Sequence, residues 1–206
     1  KSEFEDFYTK LSSTIKENNF KLFAEPKFDG LAVNISYENG KFIHATTRGD
    51  GFIGEDVTNN VKTIKTLPLK ITQSSLSSKF DLRGEIFIDK KDFKLINQNL
   101  KEAKEKEYSN PRNLAAGSIR QLDPSIASKR NLKLFIHGIS SYLSAKKFRY
   151  HSDLMAHLSD LGFPINKHSK IMANVAECFD YYQYMNTIRE EIPYEIDGLV
   201  YRVNNF

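Results

Sequence analysis

Residues 25–30 read Glu25-Pro26-Lys27-Phe28-Asp29-Gly30, and the apolar run Leu31–Ile35 follows directly. A lysine ammonium has a reference pKa near 10.4, so only about one in a thousand is a free amine at neutral pH. Partial burial or neighbouring cations favour the free amine, and a lysine in such a setting can act as a nucleophile. Lys27 is therefore a candidate nucleophile, although a solvated lysine before an Asp-Gly turn between two strands fits this stretch equally well.

The sequence around this stretch predicts antiparallel strands with flanking helices. Strand-like runs at 31–37 and 41–47 are joined through Asn39-Gly40, a hairpin signal because both turn residues tolerate positive φ. A capping box beginning at Ser2 predicts the first helix, and Asn174 with Glu177 predicts a late one. Lys27 should then lie at the mouth of an antiparallel sheet.

Composition indicates an ordinary globular protein. The 206 residues are 40% hydrophobic with a net charge of +4, which permits an anionic partner without requiring one. The single cysteine, Cys178, excludes internal disulfides and a cysteine-based zinc site, so we expect it to fill the core. No signal-peptide pattern or bilayer-length apolar run is present, and we expect one soluble, cytoplasmic domain over 1–206. The start at Lys1 rather than Met suggests a fragment of a longer polypeptide.

Three further segments carry charged residues beside glycines or small residues. The first is Arg48–Asp56, which reads as a ligand-binding loop or as a flexible hairpin loop. In the strand-like run 81–88, Arg83 and Glu85 share a side, so they either pair or leave Glu85 facing a site. Asn110-Pro111 should open a helix through Arg120, which is either a phosphate seat or a packed helix with surface arginines.

Together these segments resemble the adenylation domain of bacterial NAD-dependent DNA ligase. The matching runs are Glu25–Leu31, Thr47–Gly51 with Gly54–Asp56, Leu82–Glu85, Asn110–Pro124 and Ile196–Val200. The run from Asn110 is the most specific, because ATP-dependent ligases and capping enzymes share Lys-x-Asp-Gly but lack it. The resemblance covers the chain essentially end to end and implies an α+β nucleotidyltransferase fold, with antiparallel sheets flanked by helices.

The resemblance also implies a reaction and its catalytic residues. Lys27 would attack the α-phosphate of NAD, expel nicotinamide mononucleotide and form lysyl-AMP, and the AMP would pass to the 5′-phosphate of nicked double-stranded DNA. Asp29 and Asp197 would orient groups and place a hydrated Mg²⁺, with no residue assigned as a direct metal ligand. The family further implies a bacterial, monomeric enzyme of DNA replication and repair without a membrane partner, whose zinc is held outside this chain.

Binding roles follow from the same resemblance. Glu25 would accept a hydrogen bond from the adenine amine, while Arg48 and Glu85 would hold the ribose. Arg112 and Arg120 would contact phosphate, of the nucleotide or of DNA. The list of expected nucleotide-binding residues is Glu25, Lys27, Arg48, Glu85, Asp197 and Arg202.

Two departures from the family pattern matter. Arg202 stands where the family commonly has lysine, and its flat guanidinium reaches differently. The regions expected before Lys1 and after Phe206 are missing, so we expect the isolated chain to bind the AMP half of NAD, with self-adenylation slow or absent and no nick sealing. An ATP-using transferase and a non-catalytic binding fragment remain as alternatives.

Overall fold

The computed structural model describes residues 2–15, 20–49, 53–72, 78–140 and 148–206. The helices are α1 (Ser2–Ile15), α2 (Thr58–Val61), α3 (Lys90–Glu102), α4 (Pro111–Ile119), α5 (Pro124–Lys129), α6 (His151–Asp160) and α7 (Val175–Ile188). The strands are β1 (Leu22–Phe28), β2 (Leu31–Glu38), β3 (Lys41–Thr47), β4 (Lys79–Phe87), β5 (Lys133–Ile139), β6 (Lys170–Met172) and β7 (Ile196–Val203).

The described strands form two antiparallel sheets, in agreement with the sheets that the resemblance implied. The first has the order β6-β1-β7, and the second has the order β3-β2-β4-β5. The chain passes from one sheet to the other through Asp29-Gly30, between β1 and β2. The candidate nucleophile therefore lies where the two sheets meet, and not at the mouth of a single sheet as the sequence had suggested. The α+β class is confirmed.

The turn and the helix caps that the sequence predicted are present in the structure. Asn39 and Gly40 both have positive φ, of 50° and 75°, and they connect β2 to β3. Asn110 caps α4 by accepting a hydrogen bond from the Asn113 N–H at 2.7 Å, with Pro111 following it. The Asn174 side chain accepts from the Glu177 N–H at 3.0 Å, and Glu177 accepts from the Ala173 N–H at 2.7 Å. These caps satisfy amide groups that the first helical turn leaves unpaired.

Aromatic side chains join the two sheets. The Phe28 ring on β1 lies 4.9 Å from that of Phe135 on β5, and Phe135 lies 4.9 Å from Phe87 on β4. Such ring pairs add attraction beyond the apolar area they bury. Cys178 lies buried in the same cluster, as predicted, and burial followed by the nearby Glu177 charge raises its pKa to about 11. The shared cluster fixes how the facing surfaces of the two sheets meet.

Each sheet contains a bulge near this junction. Lys27 and Phe28 pair with Gly198 and Ile196, which leaves Asp197 as an extra residue on β7. Arg83 and Gly84 likewise pair with Gly138 and Ile136, which leaves His137 as an extra residue on β5. A bulge re-aims the side chain of the extra residue, and bulges recur beside active sites.

Some predictions are changed or fall outside the described residues. The sequence also predicts a short helix that is capped by Asp56 and runs through Ile64. The Asp56 carboxylate does accept a hydrogen bond from the Thr58 N–H at 2.9 Å, but the helix is only the four-residue α2. Asp50 and Gly51 of the glycine-rich loop, and the capping side chain of Ser2, lie outside what the structure describes. Within the described residues, no helix has the length and apolar character needed to cross a membrane.

Candidate active site

The end of β1 brings Lys27 against the bulged residue of β7. The Lys27 Nζ lies 2.5 Å from Asp197 Oδ2, and the two side chains are 55% and 38% exposed. The start of β7 is held in place because the Arg189 guanidinium donates to the Ile196 carbonyl at 2.9 Å. The pairing of β1 with β7, rather than the conformation of a loop, thus holds the accessible Lys27 amine beside the Asp197 carboxylate.

From the sequence we expected partial burial and neighbouring cations to favour the free amine of Lys27, but the direct charged contact of that amine is an anion. More than half of its side chain is exposed, and its direct charged partner is the Asp197 carboxylate. The physical reason is the β7 bulge, which turns Asp197 toward the amine. A reaction at Lys27 requires that the amine lose a proton. Asp197 is positioned to accept that proton.

A second ion pair lies on the other side of the β1–β2 turn. Arg112, in the first turn of α4, places its Nη1 3.5 Å from Asp29 Oδ1. Arg112 and Lys27 also both act electrostatically on Glu85 of β4, as does Asp197. The fold therefore brings together five predicted site residues from β1, β4, β7, α4 and the β1–β2 turn.

Gly30 allows Glu85 to approach this turn. A Cβ at position 30 would lie 2.3 Å from the Ile86 carbonyl oxygen and 2.9 Å from the Glu85 Cγ, so no larger residue fits without moving β4. The Gly30 N–H instead hydrogen-bonds to the Glu85 side chain. Arg83 donates to Ser140 Oγ at 3.1 Å. The question that the sequence left open is answered, because Glu85 faces the site.

Burial raises the pKa of Glu85 to about 7. The positive charges of Arg112 and Lys27 oppose this rise, and the negative charge of Asp197 adds to it. A carboxylate that titrates near neutrality in a group of charged residues is typical of functional sites. Because the folded-state pKa lies above the reference value of 4.5, ionisation of Glu85 costs stability as pH rises through this interval.

We therefore expect Glu85→Gln to raise the stability of the fold at pH 8 by about 1–3 kcal/mol. The gain should shrink as pH falls through 7 and vanish below about pH 4.5, where the wild-type carboxyl becomes protonated in both the folded and the unfolded state. Thermal melts at pH 5 and pH 8 measure it. Glu38→Gln, at an exposed position on β2, is the control and should give no such pH-dependent gain. An equal effect of Glu85→Gln at both pH values would contradict the assigned burial cost.

Arg48 lies in the same row of the second sheet as Glu85. The Arg48 N–H donates to the Ala32 carbonyl at 3.2 Å, and Ala32 is the register partner of Glu85. Residues in one row of a sheet point to the same face, so Arg48 and Glu85 share a face. That face also carries Phe135, which contacts Phe28 of the first sheet. The exposed Arg48 thus borders the space between the sheets.

Farther along β1 and β7, the buried Glu25 pairs with the half-buried Arg202. The Arg202 Nη2 donates to Glu25 Oε1, and the Glu25 side chain is only 4% exposed. Burial raises the pKa of Glu25, and the charge and hydrogen bond of Arg202 counteract that rise. Arg202 also reaches the second sheet, where its Nη1 lies 3.9 Å from the Cβ position of Gly138. Arg202, which stands where the family commonly has lysine, is therefore already bound to Glu25, the residue expected to bind the adenine amine.

Two histidines beside Arg202 were assigned no site role from the sequence. His137 is the bulged residue of β5, and His151 opens α6, with 4% of its surface exposed. Burial, aided by the positive charge of Arg202, lowers the pKa of His137 to about 4 and that of His151 to about 3. Both rings are therefore neutral at pH 7. Neither has a motif around it, and only the strand register reveals the position of His137.

Arg120 stands apart from this group. It lies just after the C-terminal end of α4, eight residues beyond Arg112, which corresponds to about 12 Å along a helix axis. Its Nε contacts Glu55 Oε2 at 2.6 Å. The two arginines that the sequence treated together therefore have different surroundings, Arg112 beside Lys27 and Asp29, and Arg120 at the far end of the helix.

The side chains do not form a complete metal cage. In the described ranges, no three or more histidine, cysteine, aspartate or glutamate side chains are grouped to hold a metal ion. Mg²⁺ usually keeps several waters and is bound by one or two carboxylates together with substrate phosphates. Asp29, Glu85 and Asp197 are the carboxylates that the fold brings to this junction.

Comparison with known proteins identifies the family of this chain. A family described as "NAD-dependent DNA ligase adenylation domain" matches residues 1–206. The DNA ligase of Rickettsia bellii is 43% identical over 99% of the chain, and that of Legionella pneumophila (strain Corby) is 42% identical over 98%. The chain spans only 29% and 30% of the lengths of these two relatives. Among solved structures, a "mycobacterial DNA ligase D complexed with ATP and MES" aligns with a TM-score of 0.47 and 11% identity, over 90% of this chain and 49% of that one. The chain belongs to the NAD-dependent DNA ligase adenylation domain family.

Proposed function

We propose that this chain transfers the AMP of NAD onto Lys27, as the first step of DNA ligation by the full-length protein. The observation that carries the proposal is the junction between the sheets. There an accessible lysine amine lies 2.5 Å from a carboxylate and within electrostatic range of Glu85. Arg112 supplies a second cation at the same place, where the negative charge of a phosphate would be offset.

In this reaction the chain supplies the nucleophile and the proton acceptor. The Lys27 nitrogen forms a bond to the α-phosphorus of NAD while the bond from that phosphorus to the bridging oxygen breaks. Nicotinamide mononucleotide leaves with that oxygen, and the proton of the amine passes to the Asp197 carboxylate. Asp29 orients Arg112 through their ion pair. The product is AMP joined to Lys27 through a phosphorus–nitrogen bond.

The remaining site residues would bind the nucleotide. Arg48 and Glu85 share a face of the second sheet and are suited to the two sides of a ribose, with Glu85 accepting from a hydroxyl when ionised. Glu25 would accept from the adenine amine, and Arg202 would keep it charged. Because the pKa of Glu85 is about 7, nucleotide affinity should rise as pH increases through neutrality.

Bound Mg²⁺ would reduce the negative charge that builds up on the α-phosphate, with Asp29, Glu85 and Asp197 as the carboxylates that would hold its water shell. The second substrate that we propose is nicked double-stranded DNA, whose 5′-phosphate would receive the AMP. Arg112, which pairs with Asp29 and acts on Glu85 together with Lys27, would contact phosphate at the reacting centre. We further propose that the full-length protein is a cytoplasmic monomer that acts in DNA replication and repair.

Covalent labelling of the full-length protein tests this function. With NAD and Mg²⁺, intact-mass measurement should show one added AMP per molecule, with release of nicotinamide mononucleotide. With ATP and Mg²⁺, no adduct should form. Labelling from ATP alone would overturn the choice of NAD and support an ATP-using transferase, and no adduct from either nucleotide would support a non-catalytic binding protein.

The 206-residue chain by itself gives a complementary result. We expect adenosine compounds to raise its melting temperature, because the proposed AMP-binding residues lie within it. Nicotinamide mononucleotide should give no such rise, because no residue of this chain is assigned to that half of NAD. Adenosine ligands that leave the melting temperature unchanged would contradict the proposed binding site.

A further inference from the structure

Leu122 has a solvent-exposed apolar side chain and lies on a loop that hydrogen bonds hold in place. It is fully exposed and lies between α4 and α5, in the run Arg120-Gln121-Leu122-Asp123-Pro124. Single exposed apolar residues are common on protein surfaces and need no explanation by themselves. Leu122 differs from such residues because hydrogen bonds restrain the backbone on both sides of it.

On the N-terminal side, a buried side chain holds the loop. The Asn60 amide, in a residue only 5% exposed, donates to the Ile119 carbonyl at 2.6 Å and to the Gln121 carbonyl at 2.7 Å. The Gln121 amide also donates to the Gly117 carbonyl at 2.9 Å. Three side-chain hydrogen bonds therefore fix the backbone immediately before Leu122.

On the C-terminal side, Asp123 caps the next helix. Its carboxylate accepts from the Ser125 N–H at 2.9 Å and from the Ser125 hydroxyl at 2.7 Å, and Pro124 occupies the first turn of α5. Proline restricts the backbone before the helix further. The loop thus cannot easily turn Leu122 inward, although doing so would remove apolar surface from water.

The surroundings of Leu122 favour an anionic partner. The segment 110–130 carries four cations, Arg112, Arg120, Lys129 and Arg130, and one acid, Asp123. Glu55 adds a second acid from the neighbouring segment by pairing with Arg120. Arg112 and Arg120 lie on the exposed side of α4, which runs from the Lys27 site to this loop. The helix thus joins the reacting centre to a basic surface that presents the Leu122 side chain.

We propose that Leu122 inserts into the minor groove of the nicked DNA substrate, while Arg120 contacts the adjacent phosphate backbone. This inference rests on the proposed function, which supplies nicked DNA as the substrate. Proteins commonly place apolar side chains between base steps from the minor groove, and the unstacking is easier where the duplex is already weakened. A nick is such a place, because one strand lacks its covalent connection there.

The test is binding of the full-length protein, without NAD, to a fluorescent nicked duplex that carries a 5′-phosphate. We expect Leu122→Ala to weaken binding about tenfold, because most of the apolar contact is lost. Leu122→Met, which conserves apolar volume, should stay within about twofold of wild type. Leu95→Ala is the matched control, since Leu95 is an exposed leucine on α3, outside the proposed surface, and it should bind like wild type.

The salt dependence of DNA binding separates the Leu122 contact with the bases from the Arg120 contact with phosphate. Arg120→Ala should reduce the slope of log affinity against log salt by about one, whereas Leu122→Ala should leave that slope unchanged. Equal affinity of wild type and Leu122→Ala for the nicked duplex would overturn the proposal. So would a fall in the melting temperature of Leu122→Ala without a loss of affinity, because it would show that another part of the protein covers this leucine.

Labelling with NAD is measured on the same wild-type preparation. If wild type forms lysyl-AMP but Leu122→Ala binds the nick normally, only the Leu122 inference fails. If wild type forms no lysyl-AMP from NAD, the proposed function fails whatever the DNA binding shows.

Discussion

Lys27→Ala should reduce AMP labelling of the full-length protein by NAD to less than about one-thousandth of the wild-type rate. The substitution removes the nitrogen that would bond to phosphorus, and the Asp197 carboxylate beside it offers only a proton acceptor. The side chain is 55% exposed, so its removal should leave the fold intact. A time course of intact mass with NAD and Mg²⁺ measures the effect.

Two variants control this experiment. Lys21→Ala removes an exposed lysine just before the same strand and should label at the wild-type rate. Lys27→Arg retains a cation beside Asp197 but cannot give up its proton, so it should be as inactive as Lys27→Ala. Labelling of Lys27→Arg at a measurable rate would indicate that Lys27 serves as a charge and that another residue is the nucleophile.

Arg202→Met should destabilise the fold by about 3 kcal/mol at pH 8. The substitution leaves Glu25, which is 3% exposed, without its partner in a buried setting. Burial already raises the pKa of Glu25, and loss of Arg202 removes the charge that opposes this rise. The cost should therefore be smaller at pH 5, where Glu25 can bind a proton more readily. Urea unfolding at the two pH values measures both effects.

The double variant Glu25→Gln/Arg202→Met should recover most of this stability, because no buried charge remains unpaired. Arg83→Met is the control, since Arg83 is exposed and its side chain donates to Ser140 rather than to a buried acid. It should cost less than about 0.5 kcal/mol. A double variant as unstable as Arg202→Met would show that packing of Arg202, rather than its charge, supports the fold.

Local signals predicted much of the secondary structure. Asn39-Gly40 fixed the β2–β3 hairpin because both residues adopt positive φ, and Asn110 with Pro111 set the start of α4. These signals depend only on neighbours in sequence. The resemblance implied more than one antiparallel sheet, but the residues alone did not predict which strands belong to which sheet, because that depends on long-range pairing such as that of β1 with β7. No pattern within either strand specifies that pairing.

In the candidate site, too, the local sequence predicted individual residues but not the contacts that depend on long-range strand pairing. The sequence named Lys27, Glu85 and Asp197 from separate motifs but could not show that a bulge turns Asp197 onto Lys27. It gave no role to His137, which also reaches the site region by a bulge. A bulge inserts one residue into a pairing register, so it becomes visible only when both strands are known.

Mapping of the AMP adduct tests the central claim most directly. The full-length wild-type protein is labelled with NAD, digested, and sequenced by tandem mass spectrometry under conditions that preserve the phosphorus–nitrogen bond. We predict that AMP is attached to Lys27, within the peptide that contains Glu25 to Gly30. AMP found on any other residue, with Lys27 unmodified, would contradict the account.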